Sequence, residues 1–207
     1  MNRKGKTPRF KLQRRLLTEL PGLGKAGALE RKPYPPGQHA GKRIKYSDYR
    51  LQLEEKQKVR VHYNLREEQL IRLVKKAKKN KSTKWMNSLI NILEKRLENI
   101  VFRAGLAGSM MSAGQMISHG QVLLDGKKVN IRSQELKKGQ KITLTAKGLK
   151  NQIYLMVKDA PRIPVPDWLD KSYSGDSVTV TLNDEPDLGA VPFAFDESLV
   201  TSYYSKV

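Results

Sequence analysis

The chain has 207 residues, 38% of them hydrophobic, with 40 Lys and Arg against 20 Asp and Glu and no cysteine. That size supports one or two modest cores rather than several large domains, and a formal charge of +20 points to a polyanionic partner. The missing thiols exclude disulfides, cysteine zinc sites and thiol nucleophiles, and the scattered His39, His62 and His119 form no ligand cluster, so no metal and no cofactor are expected.

No apolar run of signal-peptide or membrane-spanning length occurs, and the basic residues do not share a helix with a broad apolar face. The expectation is a soluble cytoplasmic protein without a membrane partner. The charge is unevenly placed: +18 over residues 1–100, +7 over 101–157 and −5 over 158–207. A basic front, a moderately basic middle and an acidic tail follow one another.

The front opens with an arm, Met1 to Arg15, that interleaves Arg3, Lys4, Lys6, Arg9, Lys11, Arg14 and Arg15 with polar residues. Helical apolar spacing is absent until Leu12, so the arm is expected to be disordered alone and ordered by phosphates. A long Pro/Gly-rich stretch follows from Leu20 to Tyr49. Its Tyr34, Tyr46 and Tyr49 stand among Arg31, Lys32, Lys42, Arg43, Lys45 and Arg50, with Gln38 and His39 between them. Aromatic faces stack on bases while cations hold phosphates, which suits RNA.

Ser47 is placed to cap a helix through YRLQLEEKQKVRVHYN with Leu51, Leu53 and Val59 as its stripe; its Lys56, Lys58 and Arg60 extend the basic candidates. LREEQLIRLVKKAKKN repeats the pattern with a Lys-rich last turn, and SLINILEKRLENIVFRAG reads as a third helix ending near Gly105. Ser109 to His119 is a short helix without lysine or arginine, stopped by Gly120, in which Ala113, Met116 and Ile117 face the core and Met110, Met111, Gly114, Gln115 and Ser118 point outward. VLLDGKKVN then turns at Asp125-Gly126 as a hairpin, and KITLTAK and QIYLMVK read as further strands.

In the tail, SVTVTL reads as a strand, Trp168, Phe193 and Phe195 as anchors, and Leu199, Val200, Tyr203 and Tyr204 as a last helix or turn. Its acids would repel RNA, so this side faces solvent or a basic protein. Asp184 and Glu185 lack the partners of an acid-base pair. The organisation expected is residues 1–46 as arm and RNA-binding segment, 47–92 as helical body, 93–157 as a small α+β RNA-binding module, and 158–207 as an acidic tail packing back on the helical body.

LEKRLENIVFRAGLAGSMMSAGQMISHGQVLLDGKKVNIRSQELKKGQKI, Leu93 to Ile142, resembles the small RNA-binding domain named after ribosomal protein S-four. That domain also occurs in pseudouridine synthases, a heat-shock RNA-binding protein and some tRNA synthetases. The flanks, ERKPYPPGQHAGKRIKYSDYRLQLEEKQKVRVHYNLREEQL and the terminal LVTSYYSKV, are similar to the ribosomal protein S-four family itself. The resemblance implies an α+β protein, a helical rRNA-binding domain with a basic amino-terminal arm plus an inserted S-four domain of short helices on an antiparallel sheet. It further implies a structural, non-enzymatic constituent of the small ribosomal subunit that binds rRNA at a helix junction of the 5′ domain early in assembly. Family members also line the channel through which mRNA enters, with Lys42, Arg43 and Lys45 at the matching positions, and meet ribosomal proteins S-five and S-three; the S-five contact bears on decoding accuracy. No small-molecule substrate is implied. Some bacterial members repress their own operon.

Two departures stand out. The amino-terminal cysteine cluster of many relatives is absent. The outer row of the 109–119 helix, arginine-rich in many relatives, is neutral here: its methionines pack on RNA, meet a protein, or are spare. We read a weakened rRNA contact through Ser109, Ser112, Gln115 and His119, offset by Lys127, Lys128 and Arg132, with His119 equally able to serve as a cap. An RNA-modifying enzyme would need a further catalytic domain. A paralogue acting off the ribosome is the nearer alternative, separated by copy number in ribosomes.

Overall fold

A computed structural model describes residues 9–24, 27–38, 40, 45–80, 84–175 and 177–205. In chain order its helices are α1 (Arg9–Leu16), α2 (Ala28–Arg31), α3 (Asp48–His62), α4 (Glu67–Lys78), α5 (Trp85–Glu94), α6 (Leu97–Arg103), α7 (Met110–Ser118), α8 (Ala146–Leu149), α9 (Gln152–Lys158) and α10 (Glu197–Tyr204). The strands are β1 (Val122–Leu124), β2 (Lys127–Lys128), β3 (Lys141–Leu144), β4 (Leu169–Ser174) and β5 (Ser177–Leu182). The fold is α+β, as the sequence implies, and it divides into two compact units: Met1–Ile71 with Phe193–Val207, and Arg72–Pro192.

The first unit is helical. Ser47 caps α3 by accepting from Arg50 N–H at 3.3 Å, and α1 and α10 both pack on α3. Val59, Tyr63, Leu65, Leu70, Val200 and Tyr204 are buried, whereas Leu51, expected on the apolar stripe, is exposed. Arg9 to Leu16, expected to be disordered alone, form a helix; Gln13 and Leu20 are buried there, which supplies the packing that the basic composition hides. At α10 the Asp196 carboxylate accepts from Ser198 N–H, Ser198 Oγ and Leu199 N–H at 2.8, 2.6 and 3.2 Å. The Ser198 hydroxyl contributes most to holding this carboxyl below the usual aspartate range.

The second unit stacks helices on an antiparallel sheet of strand order β2-β1-β3-β5-β4. Val122, Leu124, Ile142, Leu144, Val178, Val180 and Leu182 bury one face of alternating strands. Asp125 and Gly126 take φ values of 49° and 79°, the pair of left-handed residues that a type I′ hairpin turn needs. Asp125 reinforces the turn by accepting from Lys141 N–H at 2.9 Å and Gln140 Nε2 at 2.8 Å.

Four expectations are corrected. QIYLMVK is helix α9, not a strand: Asn151 caps it by accepting from Ile153 N–H at 2.9 Å, and the buried Tyr154 and Val157 are one helical turn apart. KITLTAK ends as a strand at Leu144, because Thr145 caps α8 through Gly148 N–H at 3.2 Å. The third predicted helix is two helices, broken where the extended Arg96 bridges to Glu135. From residue 158 onward the chain does not act as one tail: β4 and β5 extend the sheet by pairing β5 with β3, and Phe193 to Tyr204 belong to the helical unit.

A Cβ on Gly148 would lie 2.6 Å from Gln121 O and 3.3 Å from Leu144 Cβ. Gly148→Ala is therefore expected to lose about 1–3 kcal/mol through strain, against the helix-propensity gain of about 1 kcal/mol that alanine brings; urea unfolding measures it. Because the folded Asp196 carboxyl titrates below its ordinary value, its stabilisation of α10 is complete above that value and is lost as pH falls through the lowered one. Circular dichroism should show an acid loss of α10 in the protein that is absent from Asp196→Asn, which keeps an acceptor but has no charge to titrate.

Candidate nucleic-acid interface

In the helical unit the basic residues fall into two groups. Lys11, Arg15, Arg31, Lys32, Lys45 and Arg66 are exposed and make no ion pair among the described residues. The others already serve the fold. Arg14 donates from Nε to Tyr34 O at 3.1 Å and from Nη2 to Pro35 O at 3.5 Å, with its guanidinium 4.8 Å from the Tyr34 ring centre. Arg14 therefore fastens the Pro/Gly-rich segment to α1. Arg50 pairs with Glu54 at 2.8 Å and lies 4.9 Å from the Tyr46 ring, while Lys58 pairs with Glu55 at 2.5 Å. Arg60 donates to Gln57 Oε1 at 2.6 Å and stands 3.7 Å from Glu67.

Lys56 is the clearest reassignment. It is 2% exposed, donates to Glu67 Oε2 at 2.8 Å and lies 4.8 Å from the Tyr203 ring centre. Tyr204 Oη donates to Glu67 Oε1 at 3.4 Å, so one carboxylate ties α3, α4 and α10 together. Burial, with Glu67 adding to it, pushes the Tyr204 hydroxyl far above the ordinary tyrosine value. The Tyr49 hydroxyl is raised chiefly by its hydrogen bond with Tyr203.

Tyr34, Tyr46, Tyr49 and Gln38 are exposed. Arg15, Tyr49, Arg50 and Arg60 surround an open cleft of about 430 Å³ whose apolar floor includes Leu12, Leu16, Leu53 and Val61. Arg3, Lys4, Lys6, His39, Lys42 and Arg43 lie outside the described residues, as does the side chain of Arg9.

In the second unit, Lys127 and Lys128 are exposed on β2, beside the hairpin turn. Helix α7 differs from expectation: Met110 is 5% exposed and Gly114 is buried, so the outward row is Met111, Gln115, Ser118 and His119. The difference arises at the helix start, where burial extends around the first turn. Ser109 is buried and accepts from Ser112 N–H at 3.2 Å, while Ser112 Oγ accepts from Ser109 N–H at 2.9 Å. This reciprocal cap commits both hydroxyls, and Ser118 Oγ donates to Gly114 O at 2.8 Å, which leaves Gln115 and His119 as the outward polar side chains not engaged within the helix. His119 ends the helix through its backbone, with Gly120 at φ 64° after it, and its imidazole is exposed.

Two features escaped the sequence reading. Arg132 lies across Gly114 toward Glu98, a contact between segments with no local signature. Tyr173 is 51% exposed, with Lys158 and Lys171 5.9 and 5.4 Å from its ring centre. The alternation in DKSY, which puts Lys171 and Tyr173 on one strand face, was the available signal for the latter. Among the described residues no group of three or more His, Asp or Glu could hold a metal ion, and no helix is long and apolar enough to cross a membrane.

Exposed cations on a helical unit, joined in sequence to short helices on a five-stranded antiparallel sheet, define a protein built around an S4 domain. Residues 95–142 match the S4 domain, and residues 4–94 match the ribosomal protein S4/S9 N-terminal domain. The chain is 61% identical over 205 residues to the small ribosomal subunit protein uS4B of Bdellovibrio bacteriovorus, covering 99% of each. It is 40% identical over 201 residues to uS4 of Methylobacillus flagellatus, covering 96% of each, and 38% identical over 200 residues to uS4 of Geobacillus stearothermophilus, covering 96% of this chain and 97% of that one. The chain belongs to the uS4 family of small ribosomal subunit proteins. These relatives are named as ribosomal proteins of the small subunit.

Lys56→Met is expected to leave RNA affinity and its salt dependence unchanged, because the ammonium is buried. It should lower stability by less than the ~3–5 kcal/mol of a fully buried broken pair, since Glu67 is 38% exposed and can rehydrate. Paired filter-binding and thermal-unfolding measurements separate the two effects.

Proposed function

We propose that this protein binds small-subunit rRNA as a primary assembly protein, taking hold of a helix junction in the 5′ domain. The observation that carries the reading is a set of exposed cations without ion pairs among the described residues of the helical unit, including Lys11, Arg15, Arg31 and Lys32, in a chain related to uS4 proteins along its whole length. Arg9, Arg14, Arg50, Lys58 and Arg60 are assigned to the same contact, and the exposed Tyr34, Tyr46 and Tyr49 offer faces for unstacked bases. Arg3, Lys4, Lys6, His39 and Gln38 belong to the same contact. Gln115, His119, Lys127, Lys128 and Arg132 make the second one. Affinity comes from phosphate contacts and specificity from RNA shape.

Lys42, Arg43 and Lys45 are assigned to mRNA where it enters the subunit, and the neighbours are ribosomal proteins S-five and S-three. The acids of the last 50 residues suit a basic protein better than RNA, and through the contact with S-five the protein contributes to decoding accuracy. A second reading, an RNA-binding paralogue off the ribosome, is favoured only by the neutral outer row of α7.

Binding to a 5′-domain rRNA fragment should weaken linearly in log affinity against log salt. Lys11→Ala, Arg15→Ala and Arg31→Ala should each reduce that slope by about one. A native protein that shows no preference for the junction over a random RNA of equal length would refute the rRNA assignment. Stoichiometric recovery with purified small subunits tests ribosomal residence, and recovery far below one copy would favour the paralogue.

A further inference from the structure

Helix α7 has no lysine or arginine, yet a guanidinium lies across it. Arg132 follows β2 in a loop whose backbone is fixed: Arg132 O accepts from Glu98 N–H at 3.1 Å and Gln134 O from Leu97 N–H at 2.8 Å. These carbonyls satisfy N–H groups that the first turn of α6 would otherwise leave unpaired. The Arg132 side chain then runs over Gly114. A Cβ built there would meet Arg132 Cδ at 3.4 Å, Glu98 Oε2 at 3.5 Å and Arg132 Nη1 at 3.7 Å. A methyl group fits at that distance, but a longer side chain would take the place of the guanidinium.

Glu98 supplies the other constraint. Its Oε1 accepts from Arg96 Nε and Nη2 at 3.2 and 2.6 Å, whereas its buried Oε2 accepts no hydrogen bond among the described residues and lies 3.8 Å from Arg132 Nε. One carboxylate between two guanidiniums leaves one positive charge in excess. Arg96 is buried, so the excess appears at Arg132, whose side chain is 50% exposed. The loose 3.8 Å separation leaves most of its five donors uncommitted. Met111 and Ser118 stand one turn to either side of Gly114, so this charge emerges in the middle of the outward row.

We propose that Arg132 gives the face of α7 its positive charge and binds there a phosphate of the RNA backbone, with Gly114 and Glu98 as positioning residues. A phosphate matches the planar fork of a guanidinium, and the neutral Gln115 and Ser118 neither repel it nor compete for the arginine. The inference rests on the RNA-binding reading above and deepens it: the loss of cations from the helix is offset by one cation delivered from a neighbouring loop.

The test is equilibrium binding of the full chain to a 5′-domain rRNA fragment across a potassium chloride series, with thermal unfolding of every variant. Arg132→Ala is expected to weaken binding and to reduce the salt slope by about one, whereas Arg132→Lys keeps the slope. Gly114→Leu should reproduce the Arg132→Ala slope with Arg132 still present, and the double variant should be no weaker than either alone. Gly114→Ala should bind as the native chain does. A native slope in Arg132→Ala, with or without a lower melting temperature, would show a purely structural arginine and overturn the proposal. If Lys11→Ala and Arg15→Ala still reduce the slope in that case, the rRNA reading stands without it. Failure of the native chain to bind the fragment at all overturns both.

Discussion

Two buried carboxylates, Glu94 and Glu98, hold the second unit in one arrangement. They flank the break between α5 and α6 and are fully or almost fully buried. Charges placed there must be paired or the unit does not close. Glu94 accepts from Asn99 Nδ2 at 2.6 Å and has Arg103 Nε at 3.6 Å. Arg103 in turn donates from Nη2 to Ala190 O at 2.6 Å and lies 6.0 Å from the Trp168 ring centre, reaching the chain on both sides of β4 and β5. Glu98 draws in Arg96 and, through Arg132, the loop after β2. Helix break, hairpin loop and sheet extension therefore share one electrostatic condition, and a slip in any of them would strand a buried charge.

That condition explains which parts of the fold were legible. Local signals read well: Ser47 as a cap, Asp125-Gly126 as a turn, Gly120 as a stop, and the alternation of SVTVTL each depend on neighbours in sequence. The break at Lys95–Arg96 was invisible, because the apolar spacing runs through it and the carbonyls that interrupt it come from residues 132 and 134. QIYLMVK is apolar enough for either secondary structure, and its cap, Asn151, lay one residue outside the window that suggested a strand.

The candidate interface was legible in composition more than in detail. A count of cations treats all alike, but the fold divides them. Lys56 is internal, Arg14 and Arg50 brace aromatic residues, and Lys11, Arg15, Arg31 and Lys32 keep their charge for an external anion. Burial and partner choice make this division, and both are tertiary properties. The same holds for α7, where the helical wheel placed Met110 and Gly114 outward and the surrounding chain covers them.

The helical unit is discontinuous in sequence. Helix α10 completes the packing on α3, and its Tyr204 reaches the carboxylate that neutralises Lys56. During synthesis, residues 72–192 are a continuous span that can close while the ribosome is still adding the end of the chain. The amino-terminal helices, although made first, wait for the last residues before Lys56 and Glu67 have their full set of neighbours. The most basic part of the molecule thus leaves the exit tunnel before residues 72–192 and gains its last packing partner after them, so for these two units the order of translation and the order of completion differ.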